Sequence, residues 1–295
     1  MTIECPRGDN SNLCIWKKRV GQIRDAKGIG VKECADCQLV VHNENLDHLV
    51  NYSDGSMHDW TSGYGENFIG SSTDSIRRLE ALKKLAIEYQ IKTILDFGCG
   101  LGDMVSVFNA SFDTCGLEPE LAARKSGISS GLAIYESLDE ISNLELKFDA
   151  ITMFHVMEHI YEPNKLLDLL GKFLNPDGLL IIETPNSMDA LLTFYKNHDF
   201  QNFTYWSHHP MLYSHKSLEL AVVRAGFEVL ENEGVQRYKF ANHLYWLSNG
   251  KPGGHEVWKG EFQSELDELY ASNLVKKKIN DTLWLVAQKT DFNKV

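Results

Sequence analysis

The chain has 295 residues and a net charge of −12, with 29 Lys and Arg against 41 Asp and Glu. A hydrophobic share of 43% and a charged share of 24% are ordinary for a globular protein, which excludes wholesale disorder and a fibrous repeat. The acidic excess disfavours nucleic acid as a partner, because the nearest basic run is only Lys276-Lys277-Lys278. No apolar run is long enough to span a membrane and MTIECPRGDN lacks a secretory pattern, so the expected location is cytoplasmic, with thiols reduced.

Four of the six cysteines, Cys5, Cys14, Cys34 and Cys37, lie in the first 40 residues. Cys34 and Cys37 form a Cys-x-x-Cys knuckle in VKECADCQLVV, a spacing that aims two thiolates at one tetrahedral metal. Cys5 and Cys14 are eight residues apart in the intervening sequence, so the first half of such a site needs a longer loop than usual. Residues 1–45 are therefore expected to form a zinc-ribbon-like piece with these four ligands. Four thiolates leave no open position, which makes the zinc structural. The alternative reading makes one or two of the thiols small buried apolar groups.

Residues 46–72, rich in polar, aromatic and glycine residues, read as a lid or linker. From Thr73 the pattern turns helical, with Ile76, Leu79, Leu82, Leu85, Ala86 and Tyr89 three or four apart and Thr73 or Asp74 as cap. Strand-like runs follow at Thr93–Phe97, Asp113–Leu117, Leu132–Tyr135, Asp149–Phe154 and Leu179–Glu183, alternating with helical segments. A helix over Ser217–Ala225 then precedes strands at Phe227–Glu231 and Asp281–Gln288, expected to pair antiparallel at the sheet edge. The alternation predicts an α/β fold over residues 73–295: seven strands, mostly parallel, with helices on both faces. Residues 236–280 form an insertion between the last two strands, where binding walls are often built.

The most informative stretch is TILDFGCGLGDMV. A strand runs into Asp96, Gly98, Gly100 and Gly102 follow at alternate positions, and a helix begins. Such a turn lets the backbone approach a ligand where a Cβ would collide. The third glycine comes one residue too early for a dinucleotide fingerprint, and an acidic residue precedes the first, which argues against a dehydrogenase. Glu118, at the next strand tip, is placed to accept the hydroxyls of a ribose. Together they describe a pocket for a cationic nucleoside.

These residues resemble the S-adenosylmethionine motif of class I methyltransferases, whose fold is Rossmann-like. FDAITMFHVMEHIYEP and LNPDGLLIIETPN resemble that family's fourth and fifth strands, and HHPMLYSHKSLELAVVRAGFEVL is similar to the branch acting on small molecules and sugars. Members of this branch often carry an amino-terminal cysteine ribbon. The resemblance implies that Asp96, Gly98, Gly100 and Gly102 hold the methionine part of the cofactor, Glu118 the ribose, and residues near Ser137 and Leu138 the adenine, with Phe154 and His155 at its border.

Methyl transfer to a hydroxyl needs positioning and a general base, and a histidine with a pKa of about 6.5 fits that task. The candidates are His159 and His209, with His155 facing the same loop. Tyr205, Trp206 and His208 read as a substrate-side cover, the alternative being packing between domains, and Arg237, Tyr238 and His243 as further substrate contacts. A magnesium-dependent route is disfavoured, because no cluster of carboxylates with suitable spacing lies near these loops. Residues 236–258 look like segments in methyltransferases of capsule and surface-polysaccharide biosynthesis, which implies a sugar or nucleotide-linked precursor as small-molecule substrate. Two other readings stand beside it: methylation of a sugar carbon, and an inactive zinc-ribbon binding protein.

Overall fold

The computed structural model describes residues 5–6, 14–46 and 72–289. The expected lid at 46–72 lies almost wholly outside the described residues. The cysteine-bearing piece forms an antiparallel meander of β1 (Trp16–Gln22), β2 (Gly30–Cys34) and β3 (Val40–His42).

The long amphipathic helix α1 (Ser72–Tyr89) leads into β4 (Thr93–Phe97), α2 (Asp103–Phe108), β5 (Asp113–Leu117), α3 (Leu121–Ser129), β6 (Ile134–Tyr135) and α4 (Leu138–Asn143). Then come β7 (Phe148–Phe154), a 3₁₀ turn at Met157–His159, α5 (Pro163–Leu170) and β8 (Leu174–Pro185). Between Phe148 and Thr184 the interior strands are apolar and buried on both faces, the pattern of a parallel sheet covered by helices. Two apolar clusters, one centred on Leu95, Ile151 and Ile182 and the other on Ile94, Ala150 and Ile181, pack its opposite faces.

Two short helices, α6 (Ala190–Thr193) and α7 (His198–Thr204), lead to β9 (Met211–Leu212), α8 (His215–Arg224) and β10 (Phe227–Val235). A capping box fixes the start of α8, where Ser214 and Ser217 exchange side-chain and main-chain hydrogen bonds. Residues 240–276 fold into α9 (Phe240–Asn249), α10 (Gly254–Val257) and α11 (Ser264–Lys276) before β11 (Thr282–Lys289). The main sheet runs β10-β11-β8-β7-β4-β5-β6, with β10 and β11 antiparallel at one edge and the remaining strands from β8 to β6 parallel. Strand order reverses between β4 and β7, the place where ligands bind beyond the strand ends.

β9 does not join that sheet. It pairs with β3, so Val40 and Val41 lie opposite Leu212 and Met211 in a four-stranded sheet, β1-β2-β3-β9. The cysteine-bearing meander is thus completed by a strand from the main domain, over a third cluster that includes Ile23, Val31, Val40, Tyr205 and Leu212.

Candidate active site

The glycine turn between β4 and α2 is shaped by its backbone. Gly98 and Gly102 have φ of +73° and +88°, and a Cβ would stand 2.6 Å from Val156 Cγ2 at the first and 2.6 Å from Leu132 Cδ1 at the second. Both the left-handed conformation and the space therefore require glycine. Asp96 is 3% exposed and accepts a 2.7 Å hydrogen bond from Thr152 Oγ1. Burial pushes its pKa up to about 6, against the pull of that hydrogen bond and of Arg78. Glu118 accepts from the Gly100 and Glu120 amides at 2.9 and 2.8 Å, which holds its carboxylate beside the turn. Asp96, Gly98, Cys99, Asp103, Met104 and Phe154 line a cleft there, with Ser75 and Arg78 of α1 forming the opposite wall.

A buried ion network joins α1 to the strand ends. Glu183 of β8 is fully buried and accepts from Arg77 Nη2 at 2.6 Å and from Arg78 Nη2 at 2.5 Å; His155 foremost, then Arg78 and Arg77, hold its carboxyl well below the usual range despite burial. Arg78 also lies over the Phe154 ring, 4.5 Å from its centroid. Arg237 forms a 2.6 Å ion pair with Asp74 and donates to His155 Nε2 at 2.8 Å. The other nitrogen of His155, Nδ1, donates to Glu158 at 3.3 Å. Both nitrogens of His155 are thus engaged, and the residue is held in the left-handed region at φ 57°. That arrangement makes it a structural post and takes it out of the set of candidate bases.

Beyond β7, the 3₁₀ turn presents Glu158 and His159, and the segment after α7 brings His209 against them. The two imidazoles meet edge to face with centroids 4.7 Å apart. His159 Nδ1–H donates to the His208 carbonyl at 2.7 Å and His209 Nδ1–H to the Thr204 carbonyl at 3.2 Å. A carbonyl can only accept, so each neutral ring carries its lone pair on Nε2. Burial lowers the pKa of both; for His209, with His159 adding to the effect, it falls to about 3. These rings are therefore weaker bases than the free side chain on which the sequence expectation rested. Glu158 is 1% exposed, yet its hydrogen bond from His155 and the neighbouring imidazoles outweigh burial and hold it low, at about 2.

The segment bearing His209 is clasped by the amino-terminal sheet. Asp25 accepts from the Ser207 hydroxyl at 2.5 Å and from the Ser207 amide at 3.0 Å, while Ser207 Oγ meets His208 Nδ1 at 3.1 Å. The Arg24 amide donates to the Tyr205 carbonyl, the Arg24 guanidinium lies 4.6 Å over Trp206, and His42 Nε2 donates to the Trp206 carbonyl at 3.0 Å.

Several expected substrate residues lie elsewhere. Tyr205 is 2% exposed and its ring fills the space over Gly21, where a Cβ would come within 2.4 Å. It is interior packing, as the alternative reading had it, and offers no stacking face. His208 is 5% exposed and contributes its carbonyl. His243 is 2% exposed, bonded to Tyr270 Oη and Gln236 in the interior beside α11. Arg237 is committed to Asp74 and His155. Trp206, stacked on His208 at 4.2 Å, and Tyr238, beneath Arg237, stay partly exposed. Ser137 caps α4 by accepting from the Glu140 amide, and Leu138 packs against the main core.

Sequence reasoning passed over Arg78, Glu183 and Asp25. Glu183 carried a signal, as a carboxylate closing an otherwise apolar strand that some cation had to neutralise. Asp25 carried none, since its partner lies 182 residues away.

Among the thiols, Cys5, Cys34 and Cys37 come together. Cys5 Sγ lies 3.8 Å from Cys34 Sγ and 3.5 Å from Cys37 Sγ. A tetrahedral zinc with Zn–S bonds of about 2.3 Å has sulfur–sulfur edges of about 3.8 Å, so the three fit such an ion. The Cys14 sulfur falls outside this trio, and the residue packs against the same apolar cluster.

The family described as "Methyltransferase domain" matches residues 72–232, more than half of the chain. The chain belongs to the class I S-adenosylmethionine-dependent methyltransferases. The glycine turn, Glu118 and the acceptor-side histidines all fall within the matched stretch. Over 124 residues the chain is 30% identical to the ubiquinone biosynthesis O-methyltransferase of Xylella fastidiosa (strain 9a5c), covering 37% of this chain and 50% of that one. It is 30% identical over 108 residues to the enzyme of the same description from Haemophilus ducreyi, covering 32% and 46%. The chain thus spans about half the length of the curated relatives it matches. A S-adenosylmethionine-dependent methyltransferase from Clostridium acetobutylicum shares the fold, with a TM-score of 0.51 at 14% identity over 80% of this chain and 98% of that one.

Proposed function

We propose that this methyltransferase moves a methyl group from S-adenosylmethionine to a hydroxyl of a small polar metabolite, a sugar or nucleotide-linked sugar being the preferred acceptor. The observation that carries the reading is the pair of carboxylates, Asp96 and Glu118, at adjoining strand ends around a turn in which three glycines alternate with other residues. Asp96, Gly98, Gly100 and Gly102 would hold the methionine part of the cofactor, Glu118 the ribose, Ser137 and Leu138 the adenine, and Phe154 would border the cofactor. When bound, the cofactor supplies a methyl carbon activated on a sulfonium.

The protein then has to orient the acceptor and take its proton. His159 stands in the 3₁₀ turn that follows Phe154 at the end of β7, and His209 packs edge to face against it. In this reading one of them accepts the hydroxyl proton at Nε2, while carbonyls at Nδ1 hold the ring. Their low basicity is offset by proximity and by the Glu158 carboxylate, which stabilises the imidazolium as it forms. The partly exposed surfaces of Trp206 and Tyr238 offer aromatic area that a sugar ring can pack against. The description O-methyltransferase borne by the relatives supports oxygen as the accepting atom. Cys5, Cys34 and Cys37 would bind a structural zinc that ties the meander together.

The test is calorimetry with S-adenosylhomocysteine, followed by transfer of labelled methyl to a panel of free and nucleotide-linked sugars. Saturable binding with transfer to a hydroxylated sugar is expected. Absence of binding removes the enzyme reading, and binding with transfer only to carbon or nitrogen acceptors removes the hydroxyl.

A further inference from the structure

Glu158, His159 and His209 are more ordered than a general base requires. One ligand-capable atom from each lies within 4.8 Å of the others. Both rings are locked in the same tautomer by main-chain carbonyls, one at 2.7 Å and the other at 3.2 Å. Glu158 is gripped at both oxygens, by Thr184 Oγ1 at 2.8 Å and by His155 Nδ1 at 3.3 Å. A base needs one oriented ring. It gains nothing from a second imidazole set edge-on against it, with a buried carboxylate in reach of both.

Imidazoles whose Nδ1–H donates to a carbonyl, beside a carboxylate that is itself hydrogen-bonded, form the outer support found around bound divalent ions. Two nitrogens and one carboxylate oxygen are also the donor set of open, three-ligand zinc sites. We propose that Glu158, His159 and His209 bind a divalent transition-metal ion, through a carboxylate oxygen and the two Nε2 atoms, with a remaining coordination position for the acceptor hydroxyl. The mixed nitrogen and oxygen donors favour zinc, cobalt, manganese or iron over magnesium. The site is distinct from the thiol trio, which offers sulfur alone.

The inference rests on the reading of this cleft as the acceptor side and changes how the hydroxyl is activated there. The acceptor O–H loses its proton to solvent, and the oxygen is held as an ion-bound alkoxide. That oxygen then forms the new C–O bond as the C–S bond breaks, its electron pair going to sulfur. Sequence spacing hid the trio, because His209 follows His159 by 50 residues and no run of carboxylates marks the place.

The full chain, stripped with a chelator, would be titrated with cobalt(II) and followed by absorption. A d–d spectrum of nitrogen and oxygen ligation is expected, lost in His159→Ala and His209→Asn, and retained in Cys34→Ser, where only thiolate charge-transfer bands disappear. Thr184→Val should weaken cobalt binding roughly tenfold by freeing one Glu158 oxygen. S-adenosylhomocysteine affinity in the same samples reports that each variant is folded. Cobalt bound only with thiolate bands, or bound equally well by the two histidine variants, overturns the site. Because the readout is spectroscopic, a cobalt signal without cofactor binding would sink the methyl-transfer reading and leave the metal site standing; cofactor binding without the signal does the reverse.

Discussion

The glycine-turn cleft and the cluster of Glu158, His159 and His209 lie at the end of one sheet and are assembled in different ways. The cleft is built mainly from a single βαβ unit, with Asp96, the three glycines and Glu118 inside 23 residues of chain. The cluster combines Glu158 and His159 with His209, a brace at His155 and Arg237, and a clasp from Asp25 and His42. A pocket made of neighbours in sequence keeps its geometry through local turn chemistry. One made of distant segments depends on the packing of everything that holds those segments together.

Four measurements would break or sharpen that contrast. The largest effect is expected at the imidazoles. His159→Ala and His209→Ala should each lower turnover roughly 100-fold or more while leaving S-adenosylhomocysteine affinity unchanged; a matching loss of cofactor affinity would show that the two regions are not separable. On the cleft side, Glu118→Ala should weaken cofactor binding by about 1–3 kcal/mol through lost charge-assisted contacts, and calorimetry giving wild-type affinity would remove Glu118 from the pocket.

Asp25→Asn probes the clasp. It keeps the shape and disturbs both bonds to Ser207, so turnover should fall about tenfold, the factor equivalent to about 1.4 kcal/mol, with cofactor affinity unaltered. Wild-type turnover in that variant would mean that the amino-terminal sheet leaves the acceptor side alone. The smallest effect near neutrality concerns pH. Burial, and then His159, lower the His209 pKa to about 3, so its ring should not titrate by NMR across the range in which free imidazole does. A folded-state pKa below the unfolded value of about 6.5 gives a stability contribution that is complete above 6.5 and is lost as pH falls toward 3. The difference in unfolding free energy between wild type and His209→Ala should therefore narrow below pH 6.5 and stay constant above it, and a constant difference down to pH 4 would contradict the assignment.

Much of the cleft is legible in the amino-acid sequence. Thr93–Phe97 and Asp113–Leu117 form as expected to the residue, and the antiparallel edge of Phe227–Val235 with Thr282–Lys289 is present. Apolar runs with a turn chemistry of their own announce themselves locally. The residues that proved harder obey long-range constraints. Tyr205 reads as a stacking aromatic until Gly21, 184 positions earlier, is found beneath its ring. Arg237 reads as a substrate contact until Asp74 and His155 are found to engage it. Residues 236–280 read as an insertion building a binding wall, whereas the chain folds there into three helices, α9 to α11.

The two-residue strand Met211–Leu212 closes a sheet by pairing with Val40 and Val41, some 170 residues upstream. During synthesis Val40 and Val41 must wait for most of the catalytic domain to emerge before their outer edge is covered. The cysteine-bearing meander thus matures late although it is made early, and such distant pairing slows folding. Until then it exposes an unpaired strand edge, the kind of surface on which neighbouring chains adhere.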